Sequence, residues 1–486
     1  MSDGKNRTIN GKILIKSSFW YIASNFLTRA VSFITIPIFT RLMTKQQYGD
    51  FSVFASWQSI FLIICGVEIY ATLNRARFDY ETDEELNGYI TSCLVLSTLF
   101  TALIFTLYLL FQDFFAGLFL LDRKYILIMF AYLFTQPVFL MFQAKQRVEY
   151  RYKFSAGLSF ALLIISTAAA VGLVYSINED RLLGRILGQY VPYIISGFIL
   201  YIFFIVKSRT VRLSSWSYAL KMGLPLVFSF LGSQILLASD KVTVQHLSSS
   251  NEVAWLVLAT SCAHIILIFV QSLNNAWSPW FFDKLKAEEY KESGKAFKIY
   301  MWFIVLSTFC VLTVGPEIVK ILGGKGYAES VYVLPANMLC GVFTALSSQF
   351  VNIETYYKKT HYAAILTSIA AVINIAGDIA GVKLFGYQAA CYVTVMCQIM
   401  LIALHYIAVR KININAIIPL KDLCIMLAAS LTFIPFFLLL YRSDAVRLGV
   451  IIVLFAAVCV LFIAKRRELI NILKKYRRSG SENKNE

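Results

Sequence analysis

The chain has 486 residues, of which 58% are hydrophobic and 15% are charged, and its mean hydropathy is +0.67. Soluble globular domains are about 45–50% apolar, so the composition excludes a single water-soluble core and indicates a chain surrounded largely by lipid. The net charge is +17, but the basic residues lie between apolar runs rather than in one basic domain. That placement argues against a nucleic-acid-binding protein and indicates membrane topology.

The chain begins with a polar, basic segment, residues 1–16. We expect it to be a retained cytoplasmic leader, because no small-residue cleavage site separates it from the first apolar run. Fourteen apolar runs of about 20 residues follow, each long enough to cross a bilayer. Helices are expected because backbone polar groups in lipid must pair within their own segment. The predicted spans are 17–40, 51–72, 89–111, 124–144, 154–176, 183–206, 219–239, 252–277, 297–318, 331–353, 361–382, 386–408, 420–440 and 446–464.

The placement of lysine and arginine predicts that both termini lie in the cytoplasm. With the first span running outward, the inner segments hold 32 of the 45 Lys and Arg residues, and the outer ends of the spans hold 12. Cytoplasmic loops of membrane proteins carry such an excess. The bias alternates loop by loop, which supports the number of spans as well as their orientation.

The spans repeat at an interval of about 200 residues: span 7 begins 202 residues after span 1, and spans 4 and 10 differ by 207. Six spans per half is an even number, so both halves have the same orientation, as in a known class of transporters. We therefore predict an all-α integral membrane protein with two six-helix lobes and two extra C-terminal helices. The predicted units are an N-lobe at 17–206, a cytoplasmic linker at 207–218, a C-lobe at 219–408, helices 13 and 14 at 420–464, and a basic cytoplasmic tail at 465–486.

The sequence carries no motif for a cofactor, a metal or covalent catalysis. P-loop, HExxH and GxSxG patterns are absent, and the four histidines do not cluster at metal-ligand spacing. All nine cysteines lie in or beside apolar runs without a CxxC pair, so we expect them to be apolar helix residues. The sequence therefore predicts a transporter without a cofactor rather than an enzyme.

Polar residues inside the first two spans are candidates for binding an anion, because an ionised group near the bilayer centre costs roughly 2.5–3.5 kcal/mol. Arg29 lies near the middle of span 1 and shares a helical face with Asn25. Its guanidinium is suited to contact a pyrophosphate in a cavity, and the alternative is a structural ion pair with Glu68 of span 2. Arg75 and Arg77 follow at the inner end of span 2. They are candidates for contact with an anionic headgroup, with a purely topological role as the alternative.

Span 8 carries a polar stripe. His264, Gln271 and Asn275 fall on one helical face, with Asn274 beside them. This stripe is predicted either to hydrogen-bond sugar hydroxyls or to hold helices together through amide hydrogen bonds. His264 either titrates in a coupling step or is a neutral packed histidine.

Three further polar residues are candidates for coupling transport to an ion. Asn374 and Asp378 lie on one face of span 11, and Asp378 is expected to bind a cation or to pair with Lys383. Asp240, at the end of span 7, is the third candidate, although an interfacial position is the simpler interpretation of that residue.

Several short motifs resemble those of polysaccharide flippases of the Wzx type. The run 37–51, PIFTRLMTKQQYGDF, is similar to the end of the first helix and the first outer loop of that family. The sequence departs from the family's pattern at Ala254, where glycine is frequent, and at Asp378, where asparagine is usual. The resemblance covers about residues 12–465, and its other motifs are Leu224-Pro225-Leu, Ser239-Asp240-Lys241, Trp277-Ser-Pro279 and Gly323-Gly-Lys-Gly-Tyr327-Ala.

The resemblance implies two lobes around a central cationic cavity, in a fold shared with multidrug MATE exporters and lipid II flippases. It implies a flippase that moves undecaprenyl-pyrophosphate-linked oligosaccharide repeat units from the inner to the outer leaflet of the bacterial cytoplasmic membrane, for O-antigen or capsule biosynthesis. Arg29 matches the cationic cavity residue expected in the first lobe. The partners expected are the lipid-linked oligosaccharide, membrane lipids and the polysaccharide polymerase and chain-length machinery, with no nucleic acid.

Two other functions stay open at this point. A cation-coupled multidrug or metabolite antiporter of the same fold would be favoured by carboxylates deep in the first lobe. A membrane glycan polymerase or ligase would need a large outer loop with acidic residues or histidine, and the predicted outer loops are short.

Overall fold

A computed structural model describes residues 27–28, 30–80, 82–149, 152–208, 210–410, 417–453 and 456. In these ranges the chain is helical, with a 3₁₀ turn at Lys325–Tyr327 and no strand. The helices are α1 (Ala30–Leu42), α2 (Lys45–Gly66), α3 (Ile69–Asp79), α4 (Asp83–Leu110), α5 (Gln112–Phe119), α6 (Arg123–Val148), α7 (Tyr152–Ser176), α8 (Arg181–Lys207), α9 (Leu213–Leu247), α10 (Ser250–Lys286), α11 (Tyr290–Thr313), α12 (Gly315–Gly323), α13 (Ser330–Tyr356), α14 (Thr360–Phe385), α15 (Gln388–Val409), α16 (Leu420–Leu431), α17 (Phe433–Leu440) and α18 (444–453).

Twelve segments among the described residues are long and apolar enough to cross a membrane. They correspond to predicted spans 2–13, with α2 and α3 forming the second span and α16 and α17 the thirteenth. The first predicted span is described as a helix over Ala30–Leu42, and the fourteenth over its first residues. The all-helical membrane fold is therefore confirmed, while the total of fourteen spans stays a prediction.

The helices form two halves with the same plan. In the N-lobe, α8 packs between α6 and α7, and in the C-lobe α15 packs between α13 and α14. The two most buried spans are α6 and α13, in which 67% and 72% of the residues of the most apolar stretch are buried inside the protein. Each is the fourth span of its half, so the same position in the repeat provides the core of both lobes.

Close pairing of helices in both lobes depends on glycine. A Cβ atom on Gly188 of α8 would lie 2.2 Å from Ala170 Cα of α7, and one on Gly377 of α14 would lie 2.7 Å from a Val393 methyl of α15. Each of these glycines has a second glycine four residues away. Small residues at this spacing let helix backbones approach each other within a membrane.

The two membrane faces of the protein differ in charge. We call one face the basic side, because its described connections hold more lysine and arginine residues than those of the other face, which we call the opposite side. On the described part of the chain, the basic side carries the connections near residues 80–82, 149–152, 208–212, 287–289 and 357–359.

The lobes contact each other on the opposite side. Gly49, near the start of α2, packs so tightly on the C-lobe that an added Cβ would lie 1.9 Å from Ser250 O. The Thr40 hydroxyl donates a hydrogen bond of 2.5 Å to Leu322 O, near the C-terminal end of α12. The space between the lobes is therefore closed at this face.

Candidate substrate cavity and ion site

One face of α10 contacts the N-lobe near the opposite side and is exposed toward the basic side. Ser250, at the start of the helix, packs against Gly49 of α2. Positions at multiples of seven residues return to the same helical face, and there His264, Gln271 and the nearby Asn275 are all exposed. Since α10 is continuous from Ser250 to Lys286, these three side chains lie on the helical face that carries the Gly49 contact, nearer the basic side.

Asn274 points in another direction, into the C-lobe. Its Oδ1 accepts hydrogen bonds from Gln349 Nε2 at 3.2 Å and from Asn352 Nδ2 at 3.0 Å, both on α13. Asn274 therefore holds α10 to α13 through amide hydrogen bonds, which was the second of the two predictions for this stripe. The exposed positions of the other three stripe residues fit contact with a ligand, and His264 and Gln271 also interact with neighbouring groups of the protein.

The second span is broken at Val67 and Glu68, although the sequence predicted a continuous helix over 51–72. Val67 and Glu68 both adopt left-handed backbone conformations, with φ of 49° and 50°, which are unfavourable for residues other than glycine. The Ser97 hydroxyl donates to Cys65 O at 3.1 Å and satisfies a carbonyl beside the break. A Cβ on Gly223 of α9 would lie 2.5 Å from Val67 O, so α9 packs closely against the N-lobe at the break.

The predicted first-lobe residues are only partly brought together. Glu68 is buried beside Tyr70, and its Oε2 has no hydrogen-bond partner among the described residues. Arg75 is exposed and pairs at 3.3 Å with Asp79 on the same helix, and Arg77 is exposed at the basic end of α3. Arg29 and Asn25 lie outside the described residues, so the pyrophosphate contact and the ion pair of Arg29 with Glu68 stay predictions.

The three predicted ion-coupling residues, in contrast, meet in one cluster within the C-lobe, where Asn374 and Asp378 are buried and Asp240 is half-buried. The Ser239 hydroxyl donates to Asn374 Oδ1 at 2.6 Å, and Asn374 Nδ2 donates to Thr394 Oγ1 at 3.2 Å. The Thr394 hydroxyl oxygen lies 3.0 and 3.1 Å from the two carboxylate oxygens of Asp240. Asp240 is half-buried and bonded within this cluster rather than simply interfacial, and Asp378 lies against it.

Asp378 is the unsatisfied member of this cluster. Its side chain is fully buried, and neither carboxylate oxygen has a hydrogen-bond partner in the described part of the chain. Lys383, its predicted partner, is exposed near the end of α14, and no ion pair joins the two in the described structure. Asp240 also interacts electrostatically with Lys241, the next residue of α9, and the two carboxylates in contact then leave one negative charge for a proton or a cation to compensate. Carboxylate, amide and hydroxyl oxygens are donors suited to a hard cation.

Arg185, near the start of α8, is a buried cation that was not among the predicted site residues. Its guanidinium carbon lies 3.7 Å from the centroid of the Phe51 ring and 4.1 Å from that of Phe39. Tyr48 also faces it, and Tyr48 packs edge-on against Tyr327 of the C-lobe. No carboxylate of the described residues pairs with Arg185. An arginine within an apolar run was the signal for this site, but the surrounding rings come from α1 and α2.

Known proteins share both sequence and fold with this chain. Residues 14–285 match the family described as "Polysaccharide biosynthesis protein". An Lsg-locus protein of Haemophilus influenzae is 21% identical over 383 residues, which cover 76% of this chain and 91% of that protein. A second Haemophilus influenzae membrane protein is 20% identical over 421 residues, covering 83% and 98% of the two chains.

Solved structures show the same helical arrangement at low sequence identity. A lipid II flippase MurJ in an inward closed conformation gives a TM-score of 0.71 at 16% identity, covering 94% of this chain and 100% of that chain. An inward-facing multidrug resistance MATE family transporter of the MOP superfamily gives 0.55 at 13%, covering 82% and 95%. These likenesses establish the fold. Because the family match covers more than half of the sequence, the chain belongs to the polysaccharide biosynthesis protein family, in agreement with the Wzx-type resemblance of its motifs.

Proposed function

We propose that this protein flips undecaprenyl-pyrophosphate-linked oligosaccharide repeat units from the inner to the outer leaflet of the bacterial cytoplasmic membrane. The observation that carries the proposal is the face of α10 that packs on the N-lobe at the Gly49–Ser250 contact and leaves His264, Gln271 and Asn275 exposed nearer the basic side. In the orientation that the charge bias favours, the basic side is cytoplasmic, so we take these side chains to line a space between the lobes that opens to the leaflet in which the substrate is made.

The chemistry of the lining suits a polar head on an apolar tail. Imidazole and amide groups donate and accept hydrogen bonds, as sugar hydroxyls require. Arg29 of the first predicted span and the exposed Arg77 supply positive charge for a pyrophosphate. A hydrated space between lobes avoids the desolvation cost of moving sugar and phosphate through hydrocarbon, while the tail stays in the bilayer.

Transport by this geometry requires the two lobes to alternate between two arrangements. Release on the opposite side needs the close contact at Gly49 to separate, while the lobes approach each other on the basic side. A substrate or ion drives this change only if it binds the two arrangements with different affinity.

We place the coupling ion, a proton or a sodium ion, in the C-lobe cluster of Asp240, Asn374 and Asp378. Helix α9 connects this cluster to the N-lobe, because Asp240 lies in the cluster and Gly223 of the same helix packs on the break in span 2. Binding of a cation at Asp240 and Asp378 would therefore bias the position of an element that contacts both lobes, which is the requirement for coupling.

Glu68 favours one alternative, a cation-coupled drug or metabolite antiporter, since it is a buried carboxylate in the first lobe with an unpartnered oxygen. The two functions differ in what accumulates when the protein is missing. Loss of an antiporter raises drug sensitivity without changing lipid-linked sugars. Loss of the flippase leaves lipid-linked repeat units in the inner leaflet and depletes surface polysaccharide.

The test is a deletion strain complemented with variants at equal expression. We expect wild-type protein to restore surface polymer, and the double variant Gln271→Ala/Asn275→Ala to reduce its rate of appearance at least tenfold. Gln112→Ala, which removes an exposed amide far from the stripe, is the matched control and should behave as wild type. Normal surface polymer and normal lipid-linked intermediates in the deletion strain would refute the proposed function.

A further inference from the structure

We propose that the N-lobe binds one bilayer phospholipid with a phosphoethanolamine-type zwitterionic head, in a groove between α6, α7 and α8 on the basic side. The site faces the surrounding bilayer, and all the residues that line it belong to the N-lobe. It is therefore separate from the space between the lobes, and the inference goes beyond the proposed transport function.

The first part of the site is an apolar groove of about 690 Å³. On α7 its lining runs from Phe154 to Ile165, which is eleven residues or about 17 Å at the helical rise. The hydrocarbon core of a bilayer is about 30 Å thick, so the groove has the depth of one leaflet and begins at the basic side. Other lining residues are Phe142 of α6, Leu158 and Leu162 of α7, and Ile199 of α8.

The second part is a polar pocket of about 110 Å³ at the basic end of the groove. Phe142 and Phe203 line both cavities, so the two are continuous. The pocket holds two lysines and two carboxylates: Lys145, Lys207, Asp83 and Glu149. An apolar groove of leaflet depth that ends in a charged pocket matches the layout of a single lipid molecule.

The arrangement of charges in the pocket identifies the head group. Lys145 is buried, bonded to Asn87 Oδ1, and its ammonium lies beside that of Lys207. Two adjacent like charges repel each other, and a phosphate between them removes the repulsion. Glu149 pairs with Lys145 at 3.7 Å and interacts with a further group of the protein, so Asp83, which is exposed, is the acceptor that the pocket offers to a positive group. Lys207 beside Lys145, together with Asp83, complements a head that carries both a phosphate and an ammonium.

A polyprenyl tail is a less suitable occupant of the groove. Such a tail of eleven isoprenoid units is several times longer than the roughly 17 Å lining, whereas one acyl chain fills a leaflet. The groove is lined by α6, α7 and α8 of the N-lobe, whereas His264, Gln271 and Asn275 lie on α10 of the C-lobe.

The experiment is native mass spectrometry of the full-length protein, titrated with palmitoyl-oleoyl phosphatidylethanolamine and with the matching phosphatidylglycerol. Wild type should retain one phosphatidylethanolamine with at least tenfold preference over phosphatidylglycerol. Lys207→Gln removes an exposed charge of the pocket and should weaken this binding about tenfold. Ser196→Trp, in the lining of the groove on α8, should abolish it.

Matched controls on α11 of the C-lobe are Lys291→Gln and Ser307→Trp, which should bind lipid as wild type does. Equal affinity for the two phospholipids would overturn the head-group assignment. Unchanged binding by both site variants would overturn the site, and if Ser196→Trp fails to fold, unchanged binding by Lys207→Gln overturns it alone. Displacement of the retained lipid by undecaprenyl phosphate would assign the groove to the substrate's tail instead and would contradict the proposal.

Discussion

The helix pairs α7–α8 and α14–α15 occupy equivalent places in the two lobes, but they bury opposite charges. The C-lobe pair places Asp378 and Thr394 next to Asp240 in a cluster of oxygen atoms. The N-lobe pair carries Arg185, stacked among aromatic rings that include Phe51. The two lobes therefore share a backbone arrangement but not the charge that they bury, since a site is determined by a few side chains placed on a shared scaffold.

The difference assigns separate tasks to the lobes. Aromatic faces stabilise the Arg185 guanidinium within the protein itself, so this charge needs no ligand. Lys241 offsets one of the negative charges of Asp240 and Asp378, and we propose that a proton or a sodium ion offsets the other. Coupling to an ion is therefore expected from the C-lobe, while the N-lobe keeps a fixed positive charge beside the contact between the lobes.

Among the substitutions that test this difference between the lobes, loss of Asp378 should have the largest effect. Asp378→Ala is expected to lower transport at least tenfold and to remove the stabilisation that the coupling ion gives. A ligand at about one hundred times its Kd stabilises a protein by about 2.7 kcal/mol. The measurement is thermal unfolding in sodium chloride against choline chloride and across pH. Asp113→Ala, an exposed carboxylate of α5, is the control, and an unchanged ion response in Asp378→Ala would contradict an ion site in the C-lobe.

A second change tests the closed contact between the lobes. In Gly49→Val the new side chain would meet Ser250 O, because even a Cβ atom would lie at 1.9 Å. We expect a folded protein that does not transport and that exposes a cysteine placed at Gln271 to reagents added on the opposite side. Gly117→Val is the control, since no atom lies within 4 Å of its Cβ position. Transport at the wild-type rate by Gly49→Val would show that this contact does not have to close.

Substitutions of Arg185 test whether aromatic stacking rather than an anion holds this cation. Arg185→Lys keeps the charge but loses the planar stacking surface, so we expect it to cost about 1–2 kcal/mol of unfolding free energy. Arg185→Met keeps much of the volume without a buried charge and should cost less. Chemical unfolding in detergent measures both. The reverse order would mean that Arg185 is held by a carboxylate, and the contrast between the lobes would then fail.

The start of α8 offers a smaller test. Burial of Asp180 opposes its charge, but hydrogen bonds from Lys124, the Leu183 N–H and Tyr125 outweigh burial and hold the pKa of Asp180 below its usual range. The resulting stabilisation is present above the unfolded pKa of about 3.9 and is lost as the pH falls through the lowered pKa.

Asp180→Asn keeps the helix cap but loses the ion pair, so we expect a cost of less than about 1 kcal/mol at neutral pH and no cost in acid. Asp122→Asn, on the exposed second partner of Lys124, is the control. The equivalent helix α15 begins without a side-chain cap, so a similar pH effect there would contradict the difference between the lobes.

The helices and their repeat could be predicted from the sequence because hydropathy and length are local properties. Asp240, Asn374 and Asp378 could be singled out from the sequence, since polar groups in apolar spans are costly unless they have a role, and their role in ion coupling stays a prediction. Their meeting could not be predicted: Asp240 and Asp378 are 138 residues apart, and only the packing of α9 on α14 joins them. The break at Glu68 was missed because neither glycine nor proline occupies residues 67–68.

Reconstituted flipping is the most direct measurement of what this protein does. Purified protein in liposomes would be given a fluorescent undecaprenyl-pyrophosphate oligosaccharide, and transfer between leaflets would be followed by quenching from outside. We predict transfer by wild type that depends on a sodium or proton gradient and that Asp378→Ala abolishes. Equal leaflet exchange in protein-free liposomes and in those with wild-type protein, at full incorporation, would contradict the assignment as a flippase.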